Sequence, residues 1–335
     1  MRIGLVGLGR IGAFHATTLA GLDAVDELVV TDPVPGVADA VAAQTRASVA
    51  TSAEALLATR PDGVVIASST PTHLPLMEAA VRAKVPVFCE KPVAQDPRAA
   101  APLLALVEAT GVPVQIGFPR RFDPAFRRVK ADVDSGALGR LTTVRSTTMD
   151  PAPPPPAYVT ASGGLFRDCA IHDLDAVRWL VGREVAEVYA TGTAAGDDYI
   201  RDAGDVDTGG VLLTFTDGTL GVISCTRYNG RGHDVRLEVH GSRDSVAAGL
   251  DDGLPLRSAD PRVTFPAGPP YTFFMDRFAA AFRAELTAFI EVIDGAPSAC
   301  TLQEGLEASW LAEACALSLA ERRPVHLAEV HPQPA

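Results

Sequence analysis

Arg2-Ile3-Gly4-Leu5-Val6-Gly7-Leu8-Gly9-Arg10-Ile11-Gly12 opens the chain and decides its fold. The first five residues read as a strand rich in Ile, Leu and Val, and Ile11–Leu22 carries apolar residues at helical spacing. The turn between them matches G-x-G-x-x-G. That motif alone is weak, because glycines are common. Here it follows a strand and opens a helix, which is the context it requires. Gly7 permits a tight turn, Gly9 lets backbone approach a pyrophosphate, and Gly12 lets helix and strand pack closely. A pyrophosphate would rest on the helix N-terminus, where unpaired N–H groups and the helix dipole favour negative charge. Gly7, Leu8, Gly9, Arg10, Ile11 and Gly12 are therefore expected at a dinucleotide; the alternative is a glycine turn without ligand.

Outward from this loop the pattern repeats. Strand-like runs at Glu27–Thr31, Ala47–Ala50, Gly63–Ala67, Val85–Cys89 and Val114–Ile116 alternate with helical runs at Val37–Gln44, Ala53–Thr59, Leu74–Lys84 and Arg98–Thr110. Alternation at this length implies right-handed crossovers and a parallel sheet covered on both faces. The fold class expected is α/β: an N-terminal, doubly wound Rossmann domain over residues 1–120, then a C-terminal α+β domain over residues 121–335. The second part opens on a stiff Pro-Ala-Pro-Pro-Pro-Pro run at 151–156. A helix at Ala170–Leu180 follows, then strands at Val185–Thr191, Thr208–Phe215, Thr219–Thr226 and Val235–His240. Long amphipathic helices close it at Asp276–Ile293 and Glu304–Leu319. These predict an open, mostly antiparallel sheet.

Bulk composition narrows the function. A length of 335 residues exceeds one ordinary core. A net charge of −12 repels phosphate backbones, so no nucleic-acid partner is expected. Five dispersed cysteines, with no C-x-x-C spacing, point to neither a disulfide framework nor a metal site. They fit reduced thiols in a cytoplasm. No apolar run reaches membrane-span length and no charged leader precedes the first strand, so a cytoplasmic location without membrane contact is expected.

Asp32 ends the second strand, twenty residues after Gly12. A carboxylate there accepts hydrogen bonds from ribose hydroxyls and repels a 2′-phosphate, which favours NAD over NADP. A turn or helix-cap aspartate is the other reading. Glu90-Lys91-Pro92 follows the fifth strand, at the sheet end where open α/β sheets bind ligands. Pro92 stiffens the turn, and its peptide bond is one where a cis form occurs. Lys91 there can polarise a substrate oxygen; in isolation such a lysine is a solvated surface residue. Asp168 and His172 stand four residues apart, placing both on one face of a helix. An imidazole oriented by a carboxylate is a suitable general base near neutral pH. Ser162-Gly163-Gly164 just upstream is a flexible approach to a cleft. These elements read as an enzyme taking a hydride from a secondary alcohol. A nucleotide sensor that has lost catalysis is the rival class, and a sensor needs none of Lys91, Asp168 and His172.

With these elements in place, the sequence resembles the Gfo/Idh/MocA oxidoreductases and, within them, the inositol dehydrogenase branch. The likeness covers nearly the whole chain. It rests on Glu90-Lys91-Pro92, on Gly117-Phe118-Pro119-Arg120-Arg121-Phe122-Asp123, on the segment from Asp150-Pro151 to Ile171-His172-Asp173, and on Ala203-Gly204-Asp205-Val206-Asp207-Thr208. The resemblance implies catalytic roles for Lys91, Asp168 and His172. It places Ser68, Thr70, Pro71 and His73 in the loop bordering the nicotinamide, with Glu90 and Lys91 beside the cofactor. Arg121, Asp150, Arg231 and His233 join Lys91, Asp168 and His172 at the substrate. It implies oxidation of a cyclitol, first of all myo-inositol to 2-keto-myo-inositol, by a homodimer or homotetramer assembled through the open sheet. Two departures fall near the expected pocket. Arg231-Gly232-His233-Asp234 stands where the branch carries Tyr-Gly-Tyr-Asp, and Pro119 stands where methionine is usual. Arg231 suits an acidic or phosphate-bearing ligand or else points to solvent. A sugar, amino-sugar or aminocyclitol dehydrogenase or ketoreductase is thus the second enzyme reading.

Overall fold

The computed structural model describes residues 1–331. The chain divides into two compact units. Unit 1 holds Met1–Phe122 and Ala280–Leu306; unit 2 holds Asp123–Ala279 and the chain from Glu307 onward.

In unit 1, β1 (Arg2–Val6), α1 (Arg10–Ala20), β2 (Glu27–Thr31), α2 (Val37–Thr45), β3 (Ser48–Val49), α3 (Ala53–Ala58), β4 (Gly63–Ile66), α4 (His73–Arg82), β5 (Val87–Glu90), α5 (Ala101–Thr110) and β6 (Val114–Gly117) follow in order. The six strands form one parallel sheet in the order β3-β2-β1-β4-β5-β6. The order reverses between β1 and β4, so the loops after both open at the switch point where such sheets bind ligands. All the strands but the short edge strand β3 are largely buried on both faces, which is why their sequences are mostly apolar runs. Local chemistry sets the ends of the helices. Ser52 accepts from the Ala55 N–H at the start of α3, and Gly111 ends α5 in the left-handed conformation.

Unit 2 contains α6 (Pro124–Asp134), β7 (Leu141–Met149), α7 (Pro156–Ser162), α8 (Leu165–Asp168), α9 (Ile171–Val181), β8 (Val185–Thr193), α10 (Asp198–Asp202), β9 (Thr208–Phe215), β10 (Leu220–Thr226), β11 (Asp234–Gly241) and β12 (Ser245–Ala248). The long helices α11 (Phe274–Ile293) and α12 (Leu302–Glu321) follow along the chain, α11 passing into unit 1 at Ala280 and α12 returning to unit 2 at Glu307, before β13 (Val325–His326). Its seven-stranded sheet runs β12-β11-β7-β10-β9-β8-β13. Every pairing is antiparallel except β7 with β10. The open, mostly antiparallel sheet expected from the sequence is therefore present, with one parallel joint at its centre.

The division departs from a single cut near residue 120. Ala280–Leu306 belongs to unit 1 because its apolar side chains complete that core. Leu286, Phe289, Ile290 and Val292 are buried in one cluster with Ile3, Leu5, Val30 and Phe88. Cys300 and Thr301 also pair with Ile116 and Gln115 of β6, covering what would otherwise be a bare sheet edge. Helix α11 is interrupted at Phe278, where φ is −111° and ψ is 15°.

Candidate active site

In unit 1 the glycine loop is built as its spacing requires. Gly7 has φ +89°, and a Cβ there would lie 2.5 Å from the Ser68 backbone. A Cβ on Gly12 would lie 2.0 Å from the Gly7 carbonyl oxygen. Both positions therefore exclude any side chain. At Gly9 the space is open within 4 Å, which leaves room for a ligand against the backbone. Helix α1 starts there with no side-chain cap and no acidic residue in its first turn, so its N-terminal charge is uncompensated. Leu8 is buried and contributes its N–H, Ile11 is half-buried, and Arg10 is exposed.

Asp32 follows β2 and ties this loop down. Its Oδ2 accepts from the Leu8 N–H at 2.7 Å, and its Oδ1 from the Val34 N–H at 2.8 Å. The turn reading of Asp32 is thus correct as far as it goes. Each oxygen still has a second lone pair able to accept a ribose hydroxyl. An uncapped helix start, an open Gly9 and this anchored carboxylate together fit a dinucleotide.

The loop after β4 carries Ser68, Thr70, Pro71 and His73. Ser68 and Thr70 are half-buried, and Pro71 is exposed. The His73 ring is 1% exposed. Its Nδ1 faces the Pro92 carbonyl at 2.8 Å and its Nε2 the Ser68 carbonyl at 3.1 Å. Burial pushes its pKa below the usual value, so the neutral ring donates to one of the two. Glu90 ends β5, and its Oε1 meets the Nε2 of the fully buried His15 at 2.7 Å. Lys91 is half-buried, and its peptide bond to Pro92 is cis. Arg121 follows β6. Its side chain is 1% exposed, with Nη1 donating to Glu304 at 2.8 Å and to the Ala299 carbonyl at 2.9 Å. It braces the returning segment of unit 1.

In unit 2 a polar cluster gathers at the end of β7 and β10. Asp150 is fixed by its backbone, which bonds Thr226 and Asn229. Its Oδ1 lies 3.2 Å from His233 Nδ1, and the Cys169 thiol points at Oδ2 from 3.8 Å. Asp168 accepts from the Tyr158 hydroxyl at 2.8 Å and lies 3.6 Å from Arg227 Nη1. The other end of that guanidinium is 3.3 Å from Asp205, which in turn accepts from the Leu165 N–H at 2.9 Å. Two carboxylates thus share one guanidinium, and with Asp150 the cluster is rich in hydrogen-bond acceptors. Burial drives the Cys169 thiol pKa well above its usual range, which removes it as a nucleophile.

Asp168 and His172 do not lie on one unbroken helix. Asp168 ends α8, and His172 sits in the first turn of α9. At the break the Ala170 N–H reaches back to Leu165, and the His172 N–H bonds Cys169. The neighbouring Asp173 explains how His172 is nevertheless held. Asp173 is fully buried and accepts from the Ser146 hydroxyl at 2.5 Å and the Thr148 hydroxyl at 2.8 Å, both on β7. This pins the start of α9 to the sheet. Of the residues that depart from the branch pattern, Arg231 is exposed in its turn, His233 is 3% exposed against Asp150, and Pro119 is buried.

Sequence reasoning missed His15, Tyr158, Asp205 and Arg227. One signal for His15 was available: the buried positions of α1 are Gly12, His15, Ala16 and Leu19, a three-four spacing that puts the imidazole on the core face.

Comparison with known proteins agrees with both halves. Residues 1–118 match the oxidoreductase family with an NAD-binding Rossmann fold, and residues 126–247 match the GFO/IDH/MocA C-terminal domain. An inositol 2-dehydrogenase of Rhizobium meliloti is 38% identical, over 98% of this chain and 99% of that protein. The crystal structure of a myo-inositol dehydrogenase from Corynebacterium glutamicum is 36% identical with a TM-score of 0.88, covering 100% of this chain and 99% of its own. A scyllo-inositol dehydrogenase from Lactobacillus casei, solved with NAD(H) and scyllo-inositol, is 29% identical with a TM-score of 0.88, covering 98% and 99%. The chain belongs to the Gfo/Idh/MocA family of NAD-binding oxidoreductases.

Proposed function

We propose that this protein oxidises a secondary hydroxyl of a cyclitol, with myo-inositol the first substrate and 2-keto-myo-inositol the product. The observation that carries the reading is the acceptor-rich cluster of Asp150, Asp168 and Asp205, which suits a ring presenting several hydroxyl donors. The names of the full-length relatives support it. Gly7, Leu8, Gly9, Arg10, Ile11 and Gly12 hold the pyrophosphate, and Asp32 holds the ribose. Ser68, Thr70, Pro71, His73, Glu90 and Lys91 would border the nicotinamide. Bound NAD supplies the two-electron acceptor. His172 takes the hydroxyl proton as general base, with its backbone pinned through Asp173. The Lys91 ammonium stabilises negative charge growing on the substrate oxygen. Asp168, held by Tyr158 and Arg227, orients the reacting hydroxyl, and Asp150 binds another. The carbon loses hydrogen with two electrons and its oxygen loses a proton, giving ketone, NADH and H⁺.

The same reading places the protein in the cytoplasm as a homodimer or homotetramer. The five free cysteines, all buried, suit a reducing compartment. Tyr189, Leu212 and Leu220 expose 38, 54 and 51% of their surface on the sheet of unit 2, an apolar face suited to a second copy. Among the described residues no helix is long and apolar enough to cross a membrane.

A second reading, an aminocyclitol or amino-sugar substrate, is favoured by the His233–Asp150 pair. A half-exposed carboxylate whose neighbour is an imidazole can also take an ammonium. NADH absorbance over a panel of cyclitols, aminocyclitols and sugars separates the two. Turnover of myo-inositol above all others is expected. Preference for an amino-bearing ring replaces the first reading with the second, and tight NAD binding with no turnover favours a sensor.

A further inference from the structure

We propose that His15 and His73 are positioning residues for Lys91, gripping the residues on either side of it. The proposal rests on the reading that Lys91 takes part in the reaction. Glu90 and Pro92 flank Lys91 in the chain. Glu90 is held by its carboxylate on His15 Nε2 at 2.7 Å, and Pro92 by its carbonyl on His73 Nδ1 at 2.8 Å. Both rings are buried, at 0 and 1% exposure. The His15 ring meets Phe88 and Phe282 edge-on, with centroids 5.7 and 5.8 Å away, so it has little freedom to turn. On the opposite side of Glu90, β6 presents Gly117. A Cβ there would stand 3.3 Å from the Glu90 carboxyl group, so the glycine keeps that seat open.

A purely structural role accounts poorly for this arrangement. His15 Nδ1 is buried and has no hydrogen-bond partner in the structure, a feature that weakens the fold and that a phenyl ring would avoid. The bond to Glu90 joins α1, which carries the dinucleotide loop, to the strand end that carries the lysine. His73 sits between the Pro92 carbonyl and the Ser68 carbonyl of the loop after β4, and its single N–H bonds one of them. A shift of about 1 Å at a reacting group can cost on the order of a hundredfold in rate, so clamping this turn matters to turnover more than to stability.

The test uses the full chain with NAD and myo-inositol. His15→Phe and His73→Phe should each lower kcat by about tenfold or more while the NAD Kd stays within about threefold, the split expected when binding is intact and the reacting geometry is not. His15→Gln keeps a side-chain N–H within reach of Glu90 and should recover most of the lost rate. The pH profile of kcat should shift in the phenylalanine variants and return in the glutamine variant. Phenylalanine variants with kcat and pH profile within about twofold of the parent chain would overturn the proposal. Equal loss in the Gln and Phe variants would also overturn it, since shape and not the bond would then matter. If His15→Phe does not fold, His15→Asn, too short for Glu90, takes its place with the same criteria.

Lys91→Ala is run alongside. Normal turnover in that variant defeats the underlying reading. An inactive Lys91→Ala with normal histidine variants defeats only the clamp. Should the parent chain turn over no cyclitol, the readout becomes the rate at which acetic anhydride acylates Lys91, followed by peptide mass. A rate unchanged in His15→Phe and His73→Phe counts against the clamp.

Discussion

Replacing Arg227 with methionine tests the electrostatic design of unit 2. The guanidinium is 1% exposed and lies between Asp168 at 3.6 Å and Asp205 at 3.3 Å. At an effective dielectric constant near 20, attractions at those distances amount to about 4–5 kcal/mol each before desolvation is subtracted. Methionine keeps much of the volume and leaves two largely buried carboxylates without their counter-ion. Removing one partner of such a set typically costs about 3–5 kcal/mol. With a urea slope on the order of 3 kcal/mol/M, the unfolding midpoint should fall by about 1–2 M. Asp168 loses its hold as well, so kcat with myo-inositol should drop by on the order of a hundredfold while NAD affinity stays unchanged. Denaturation followed by fluorescence, together with NADH kinetics at low denaturant, reads both effects. Arg227→Met/Asp205→Asn should regain part of the stability, because one stranded charge is removed. A midpoint within about 0.3 M of the parent chain would refute the argument and mean that water or rearrangement neutralises the carboxylates.

Other outcomes follow from the same geometry. Asp32→Ser should weaken NAD binding and narrow the preference over NADP, because the carboxylate that repels a 2′-phosphate is gone; unchanged cofactor kinetics would remove Asp32 from the cofactor site. His73 has a folded-state pKa held below the ordinary 6.5 by burial, so the fold favours its neutral form. That contribution is complete above the ordinary value and is lost as pH falls through the lower one. Thermal midpoints taken from about pH 7.5 down to about pH 5 should therefore fall more steeply for the parent chain than for His73→Gln, and parallel curves would contradict the assignment.

Unit 1 was legible because each local signal agrees with its neighbours. Apolar strands, helical spacing and the glycine loop all demand the same parallel sheet, and the Gly7 and Gly12 clashes enforce it. Unit 2 was harder to read, and particular residues show why. Strand β7 buries Ser146 and Thr148, polar because they hold Asp173, so the apolar alternation that marks a strand is missing. Thr226-Arg227-Tyr228 reads as a surface turn, since an arginine is rarely buried without a partner. Its partners Asp168 and Asp205 lie far away in sequence, and only the sheet brings them together. The break between α8 and α9 is invisible to a count of residues, because Cys169 and Ala170 suit a helix as well as a turn. The burial of Arg121 and His73 could not be read from position alone, because the partners of Arg121 lie in a segment nearly two hundred residues on.

The measurement that bears most directly on the central claim is the fate of a deuterium at C2 of myo-inositol. The protein should turn this substrate over with NAD, releasing 2-keto-myo-inositol and placing one deuterium in the reduced cofactor, with the protonic hydrogen of the hydroxyl going to water. Reduced cofactor without deuterium, or no reduction of NAD by the labelled or the unlabelled ring, would contradict the account.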